Sequence, residues 1–436
     1  MKHAILILTM IAFPFVRAAE GDALTQLSLG EIEIQALENS YSKKALNAEY
    51  DSVKNKIDSQ NSLRYPKITL EGNYKYISEV PTLNFPGGAK TAFGDNTNYS
   101  IGPVMNWTLW DFGSIKNSIK GSESLLKSKE AEKSFSNRQI LLNARLAYFR
   151  VQLRIEQQKM VTDSLKLAES QHRDIQNRLS AGLSNRIDLL SAHKEVLNLK
   201  IQSRQIQSDL STDLRDLYAL IGKNDSFDPK LQVKVDPLES SLYSLSKYGT
   251  TGLEQENLNQ HPLIKMYTAN AEASRLSAES FKANKLPKLA LFAKSSIDYP
   301  NGPILENIHQ NAIGLTLSMP LFESSKSSNE ALEKQNLAIA SENRREEART
   351  NLVRDWQKAN DQLQGLKEKV LIFKTSVDES AERAKLVYSS YRVGRSSFLE
   401  VQSANLHALE AKVQSTTNNV QILIQLAYLA SIAEEQ

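Results

Sequence analysis

The chain of 436 residues has no cysteine. That removes disulfides, thiolate metal sites, cysteine nucleophiles and a lipid-bearing N-terminal cysteine together. Aromatic residues make up only 7% of it. So low a share suits long helices better than a thick globular core. The formal net charge is only +3, so no basic field favours nucleic acid. Beyond the first residues no apolar run reaches the ~18 residues of a membrane-spanning helix. The histidines, among them His172, His193, His261, His309 and His407, share no ligand spacing in the sequence. HExxH, phosphate-loop and nucleophile-elbow patterns are missing. No catalytic residue, cofactor or metal site is therefore expected, and the chain does not read as an enzyme. Proline is absent from Ser114 to Leu179 and from Ser324 to Tyr391. Without a breaker, each stretch reads as one helix of roughly 66 residues, about 100 Å long.

The N-terminus has Lys2, an apolar run from Ala4 to Val16, and then Arg17-Ala18-Ala19. A basic start, a short apolar core and small residues at its end describe an export signal, here residues 1–18.

The rest of the chain is written twice. Arg178-Leu-Ser-Ala-Gly182-Leu-Ser-Asn-Arg-Ile-Asp188 is echoed by Ser390-Tyr-Arg-Val-Gly394-Arg-Ser-Ser-Phe-Leu-Glu400, at an offset of 394 − 182 = 212. Thr108-Leu-Trp110-Asp111 meets Pro320-Leu-Phe322-Glu323 at the same offset. A duplication of this extent sets the architecture before any site is considered. The first repeat covers 25–221, a linker or equatorial segment 222–250, and the second repeat 251–433.

Each repeat reads as helix, two strands, very long helix, turn, long helix. The leading helices run from Leu27 to Leu63 and from Asn257 to Asn284, each stopping before a proline. The strands fall at about 67–110 and about 288–321. Ile68, Leu70, Tyr74 and Tyr76 alternate with polar residues, and so do Ile313, Leu315, Leu317, Met319 and Leu321. Each strand has about ten residues, the length of a tilted membrane strand. Trp107, Trp110 and Phe322 stand toward strand ends, where a membrane-interface belt would sit. The alternation alone is equally compatible with two soluble hairpins. After the strands, apolar residues recur at spacings of three and four, as at Leu352, Trp356, Ala359, Leu363, Leu366 and Val370, which is coiled-coil packing. Gly182 and Gly394 then sit at helical-hairpin tips, where glycine takes the left-handed turn and Ser184 or Ser396 caps the next helix.

Four strands cannot close a membrane barrel, because the smallest have about eight. An open edge in lipid is also forbidden. Membrane strands therefore require several chains to share one barrel. If the strands span a membrane, the expected fold is mainly α with membrane β: an internally duplicated chain of long coiled-coil hairpins whose four strands join a shared oligomeric barrel and whose hairpins wall a long tube.

With these features the chain resembles the TolC family of outer-membrane efflux proteins. The resemblance rests on Tyr391-Arg-Val-Gly394 followed by Phe398-Leu-Glu400-Val401, on the Gly182/Asp188 segment, and on Trp107-Thr-Leu-Trp110-Asp-Phe-Gly113 and Ser318-Met-Pro-Leu321-Phe322. It implies a homotrimer whose strands form an outer-membrane β-barrel in the lipid of a Gram-negative bacterium and whose helices form a periplasmic α-helical barrel. It also implies an efflux or type I secretion channel that works passively with a periplasmic adaptor and an inner-membrane transporter. By the same resemblance Tyr391 matches the gate tyrosine, Glu400 an acidic constriction ring and Asp188 its partner in the first repeat. Two positions depart from the family. Ser403 replaces a second acidic ring residue, and Ser396 stands at the gate arginine's place while Arg395 precedes it, so Arg395 is the gate candidate to reach Asp188 instead. The competing reading is a periplasmic coiled-coil scaffold or adaptor without a pore. The cargo is not written in the sequence.

Overall fold

The computed structural model describes residues 25–84, 86–87, 90–223, 233–246 and 255–433. The expected export signal, residues 1–18, lies outside them, as does part of the 222–250 linker.

The strands are β1 (Thr25–Leu27), β2 (Lys67–Tyr76), β3 (Thr82–Asn84), β4 (Lys90–Ala92), β5 (Thr97–Trp110), β6 (Val233–Val235), β7 (Lys288–Tyr299) and β8 (Ile308–Ser318). The helices are α1 (Leu29–Asn39), α2 (Tyr41–Asn61), α3 (Ser114–Ser180), α4 (Arg186–Leu220), α5 (Leu238–Leu245), α6 (Gln255–Gln260), α7 (Pro262–Ala283), α8 (Lys326–Arg392) and α9 (Phe398–Ile432). Both proline-free stretches form single helices of 67 residues.

Each leading helix is in fact two. Ser40 breaks the first, its side chain accepting from the Lys43 N–H to restart the chain as α2. His261 does the same before α7, with Nδ1 accepting from the Leu263 N–H and Pro262 in the first turn.

Two compact units are present, and each draws on both repeats. One comprises residues up to Gln35, Ala147–Tyr243 and Lys374–Val420; the other comprises Ala36–Leu146, Ser244–Phe373 and residues from Gln421 onward. The first holds both hairpin tips and a parallel pair, β1 beside β6, drawn from the segment expected as linker. Tyr148, fully buried there, donates to the Leu27 carbonyl at 3.0 Å and accepts from the Asp236 N–H at 3.0 Å.

The second unit holds the principal sheet, antiparallel throughout, in the order β2-β5-β7-β8. Its register puts Gly72 beside Ile101, Ile101 beside Ile297, and Ala293 beside Ile313. Directly paired residues share a face. One face therefore carries Ile68, Leu70, Ile101, Ile297, Ile313, Leu315 and Leu317, interrupted toward one end by Ser295, His309 and Asn311. The other carries Thr69, Glu71, Ser100, Lys294, Asp298 and Thr316. On this polar face Ser100 Oγ donates to Asp298 Oδ1 at 2.6 Å and Lys294 Nζ donates to Ser100 Oγ at 3.1 Å. The apolar face is bare: Leu70 is 75% and Ile313 76% exposed. The outer edges of β2 and β8 have no strand partner among the described residues.

Strand β8 ends at Ser318, earlier than the alternation through Leu321 suggests. Pro320 lacks an N–H for a ladder, so Leu321 and Phe322 lie in the connection to α8. The turns from strand to helix match between repeats. Asp111 accepts from the N–H groups of Gly113 and Ile115, and Glu323 accepts from the N–H and hydroxyl of Ser327. Phe112 and Gly113 adopt left-handed φ of 53° and 86°, and Ser324 and Ser325 adopt 47° and 63° at the equivalent places.

Candidate functional site

The two tips are built alike. Gly182 and Gly394 take φ of 72° and 77°. Leu183 N–H reaches the Arg178 carbonyl at 2.8 Å and Gly182 N–H the Leu179 carbonyl at 3.0 Å. Arg395 N–H reaches the Ser390 carbonyl at 2.9 Å and Gly394 N–H the Tyr391 carbonyl at 3.0 Å. These paired bonds are Schellman turns, which need the left-handed residue that glycine supplies.

The helix caps fall one residue later than expected. Asn185, not Ser184, accepts from the Asp188 N–H at 2.8 Å. Ser397, not Ser396, accepts from the Glu400 N–H, and Glu400 Oε2 accepts in return from the Ser397 N–H, both at 3.3 Å. The second tip thus carries a capping box. Ser184 and Ser396 are released for other partners, and Ser396 Oγ donates to the Val387 carbonyl at 3.0 Å.

Tyr391 joins the two hairpins. Its ring is buried with Ile175 of α3, Ala192 of α4, and Phe398 and Val401 of α9. Its hydroxyl donates to Asp188 Oδ2 at 3.0 Å. A phenol has one proton, so the 3.2 Å contact with Ser184 Oγ is donated by the serine. One turn earlier, Tyr388 donates to Asp174 Oδ2 at 2.9 Å. Burial, and then the Asp174 acceptor, push the Tyr388 phenol up to about 12. Burial also raises Tyr391, and Asp188 adds to the effect. Both tyrosines therefore remain hydrogen donors at neutral pH.

Sequence reasoning missed Arg178. Its guanidinium carbon lies 5.7 Å from the centre of the Tyr391 ring, and Nη2 donates to the Arg392 carbonyl at 3.0 Å. Its buried Nε has no partner among the described residues. The signal was available, because Arg178 stands in the duplicated segment four residues before Gly182. Further along, Gln402 donates to the Ser191 carbonyl and Asn405 to Gln171, each at 3.0 Å. Arg395 and Glu400 are exposed, and Arg395 forms no ion pair with Asp188 among the described residues.

The expected interface aromatics flank the principal sheet. Trp107 pairs with Leu291, and its indole N–H donates to the Arg64 carbonyl at 2.9 Å. Trp110 ends β5, 61% exposed, with Phe112 edge-on at 5.9 Å. Phe322, off the strand, is 87% exposed. At the opposite end of β5, Tyr99 stacks on Tyr299 at 5.1 Å.

Within the described residues no helix is long and apolar enough to cross a membrane. Comparison with curated proteins returns no significant match. Solved structures share the fold. CusC aligns over 97% of this chain and 96% of its own, with a TM-score of 0.79 at 16% identity. The Neisseria gonorrhoeae channel MtrE aligns over 98% and 97%, at 0.75 and 16%. Vibrio cholerae VceC aligns over 93% and 95%, at 0.75 and 15%. The outer membrane efflux protein model matches residues 34–223 and 253–433, one segment in each repeat. That match covers most of both repeats, and the chain belongs to the outer membrane efflux protein family.

Proposed function

We propose that three copies of this chain form the outer-membrane exit duct of a tripartite efflux pump or type I secretion system. The carrying observation is the principal sheet, with one largely apolar exposed face, one hydrogen-bonded polar face and two edges that have no strand partner among the described residues. Lipid accepts the first face and a water-filled lumen the second. The edges demand more strands, and 3 × 4 = 12 exceeds the minimum of about eight. Tyr99 and Trp110 are 110 − 99 = 11 residues apart on β5. That is about 37 Å along a strand and about 28 Å across a membrane at 40° tilt, close to a barrel's apolar band of about 25 Å. A scaffold without a pore has no use for such a sheet.

The duct is passive and receives cargo from a periplasmic adaptor and an inner-membrane transporter. It is closed at the hairpin tips. Tyr391 and Asp188 hold the hairpins together, Glu400 supplies the constriction's negative charge, and Arg395 is offered to a neighbouring copy. Like charges gathered at a narrow mouth repel each other and favour cations.

The test is planar-bilayer current from purified protein, wild type beside Glu400→Gln. Small cation-preferring openings whose selectivity drops in the variant support both channel and constriction. Openings indifferent to Glu400 move the constriction elsewhere. No openings from folded, inserted protein return the chain to the scaffold reading.

A further inference from the structure

His172 and His193 stand 193 − 172 = 21 residues apart and show no ligand spacing, yet they flank Gly182 almost symmetrically, at 182 − 172 = 10 and 193 − 182 = 11 positions. An antiparallel hairpin brings such positions level. Their ring centroids are 5.5 Å apart with planes tilted by 48°. His193 is exposed and His172 half-buried. This ring contact is the one interaction either imidazole makes among the described residues.

We propose that His172 and His193 form a two-imidazole site for a divalent transition-metal ion, of the class of Cu²⁺, Zn²⁺ or Ni²⁺, which ties α3 to α4 below the tip. Metal–nitrogen bonds of about 2.0–2.1 Å put each ring centre about 3.2 Å from the ion. At a tetrahedral angle two such centres lie about 5.2 Å apart, close to the observed 5.5 Å separation. Imidazole suits these ions and not Mg²⁺ or Ca²⁺. Water completes the shell, since among the described residues no three histidine, aspartate or glutamate side chains are gathered for a metal. Glu169 lies one turn before His172, in a Glu-x-x-His spacing that shares a helix face. It is held by Lys200 at 3.4 Å.

The second hairpin lacks the pair. At the repeat offset, 172 + 212 = 384 is Ala384 and 193 + 212 = 405 is Asn405. The ion would therefore stiffen one hairpin and leave the other unchanged. The site does not depend on the channel reading.

The test is titration of the full chain, purified in detergent and free of chelator, with Cu²⁺, read by calorimetry and electron paramagnetic resonance. One ion per chain with two-nitrogen hyperfine structure is expected. His172→Gln and His193→Gln should each weaken binding about tenfold or more and remove that structure, while helical circular dichroism stays unchanged. Equal affinity in wild type and both folded variants overturns the proposal. So does a wild-type spectrum without imidazole nitrogen.

Discussion

The Tyr391 hydroxyl donates to Asp188 Oδ2 across a sequence separation of 203 residues, tying the end of α8 to the start of α4. Tyr391→Phe leaves the ring among Ile175 and Phe398 but removes the bond, at a cost of about 1–2 kcal/mol per chain. In bilayers the variant should open more often or to higher conductance. Asp188→Asn should act in the same direction, and the double variant should add little to the stronger single one. Fully additive effects would show that the two side chains act separately.

Gly102 makes the close approach between β5 and β7. A Cβ there would lie 2.6 Å from Ser296 Cα, inside the neighbouring backbone. Gly102→Ala must part the strands, so heat-resistant assembled protein should fall sharply on gels. Gly72→Ala is the control, because its Cβ would meet nothing nearer than Ile101 Cγ1 at 4.0 Å. Normal assembly of both variants would refute the close approach.

Ser325 holds a left-handed φ of 63° where the first repeat has Gly113. Ser325→Gly should relieve about 1 kcal/mol per chain. Gly113→Ser should lose a similar amount. Thermal midpoints shifting in opposite directions check the pair, and a lower midpoint for Ser325→Gly would count against strain at that turn.

His261 is buried, and burial first and Arg138 second lower its pKa to about 4, against 6.5 when unconstrained. The folded chain therefore resists a proton that the unfolded chain accepts. Stability is complete above about pH 6.5 and falls as the pH drops toward 4, by at most about 3 kcal/mol per chain. His261→Asn retains an acceptor for the Leu263 N–H without titrating near neutrality. Thermal midpoints at pH 7.5 and 5 should diverge more for wild type than for the variant. Equal divergence would assign the acid loss to other groups.

The long helices were legible because no proline interrupts them and their apolar residues keep a heptad rhythm. The strands were legible because their period is two. The breaks at Ser40 and His261 were not, since each depends on a single side-chain acceptor inside a stretch of helix-compatible residues. The caps slipped by one residue because a Schellman turn carries the chain past Gly182 before α4 begins. Pro320 announced the end of β8, yet the alternation of Met319 and Leu321 masked it. Family resemblance singled out Tyr391 and Asp188 but not the bond between them, because it joins residues far apart in the chain. His172 and His193 could have been paired by counting outward from Gly182, once that glycine was placed at a turn.

The open edges of β2 and β8 also bear on the life of the chain before assembly. On the proposed function, a copy not yet assembled presents these edges, which have no strand partner among the described residues, beside an apolar surface, which is a template for wrong partners as well as right ones. On that reading its fate is a competition in time between meeting its own kind and aggregating first. The faster the chain is supplied, the more that competition favours aggregation, since misassembly rises steeply with the concentration of unassembled copies. Under the proposed function the yield of the assembly is therefore governed by the tempo of supply and by escort before assembly, as much as by the stability of the finished assembly.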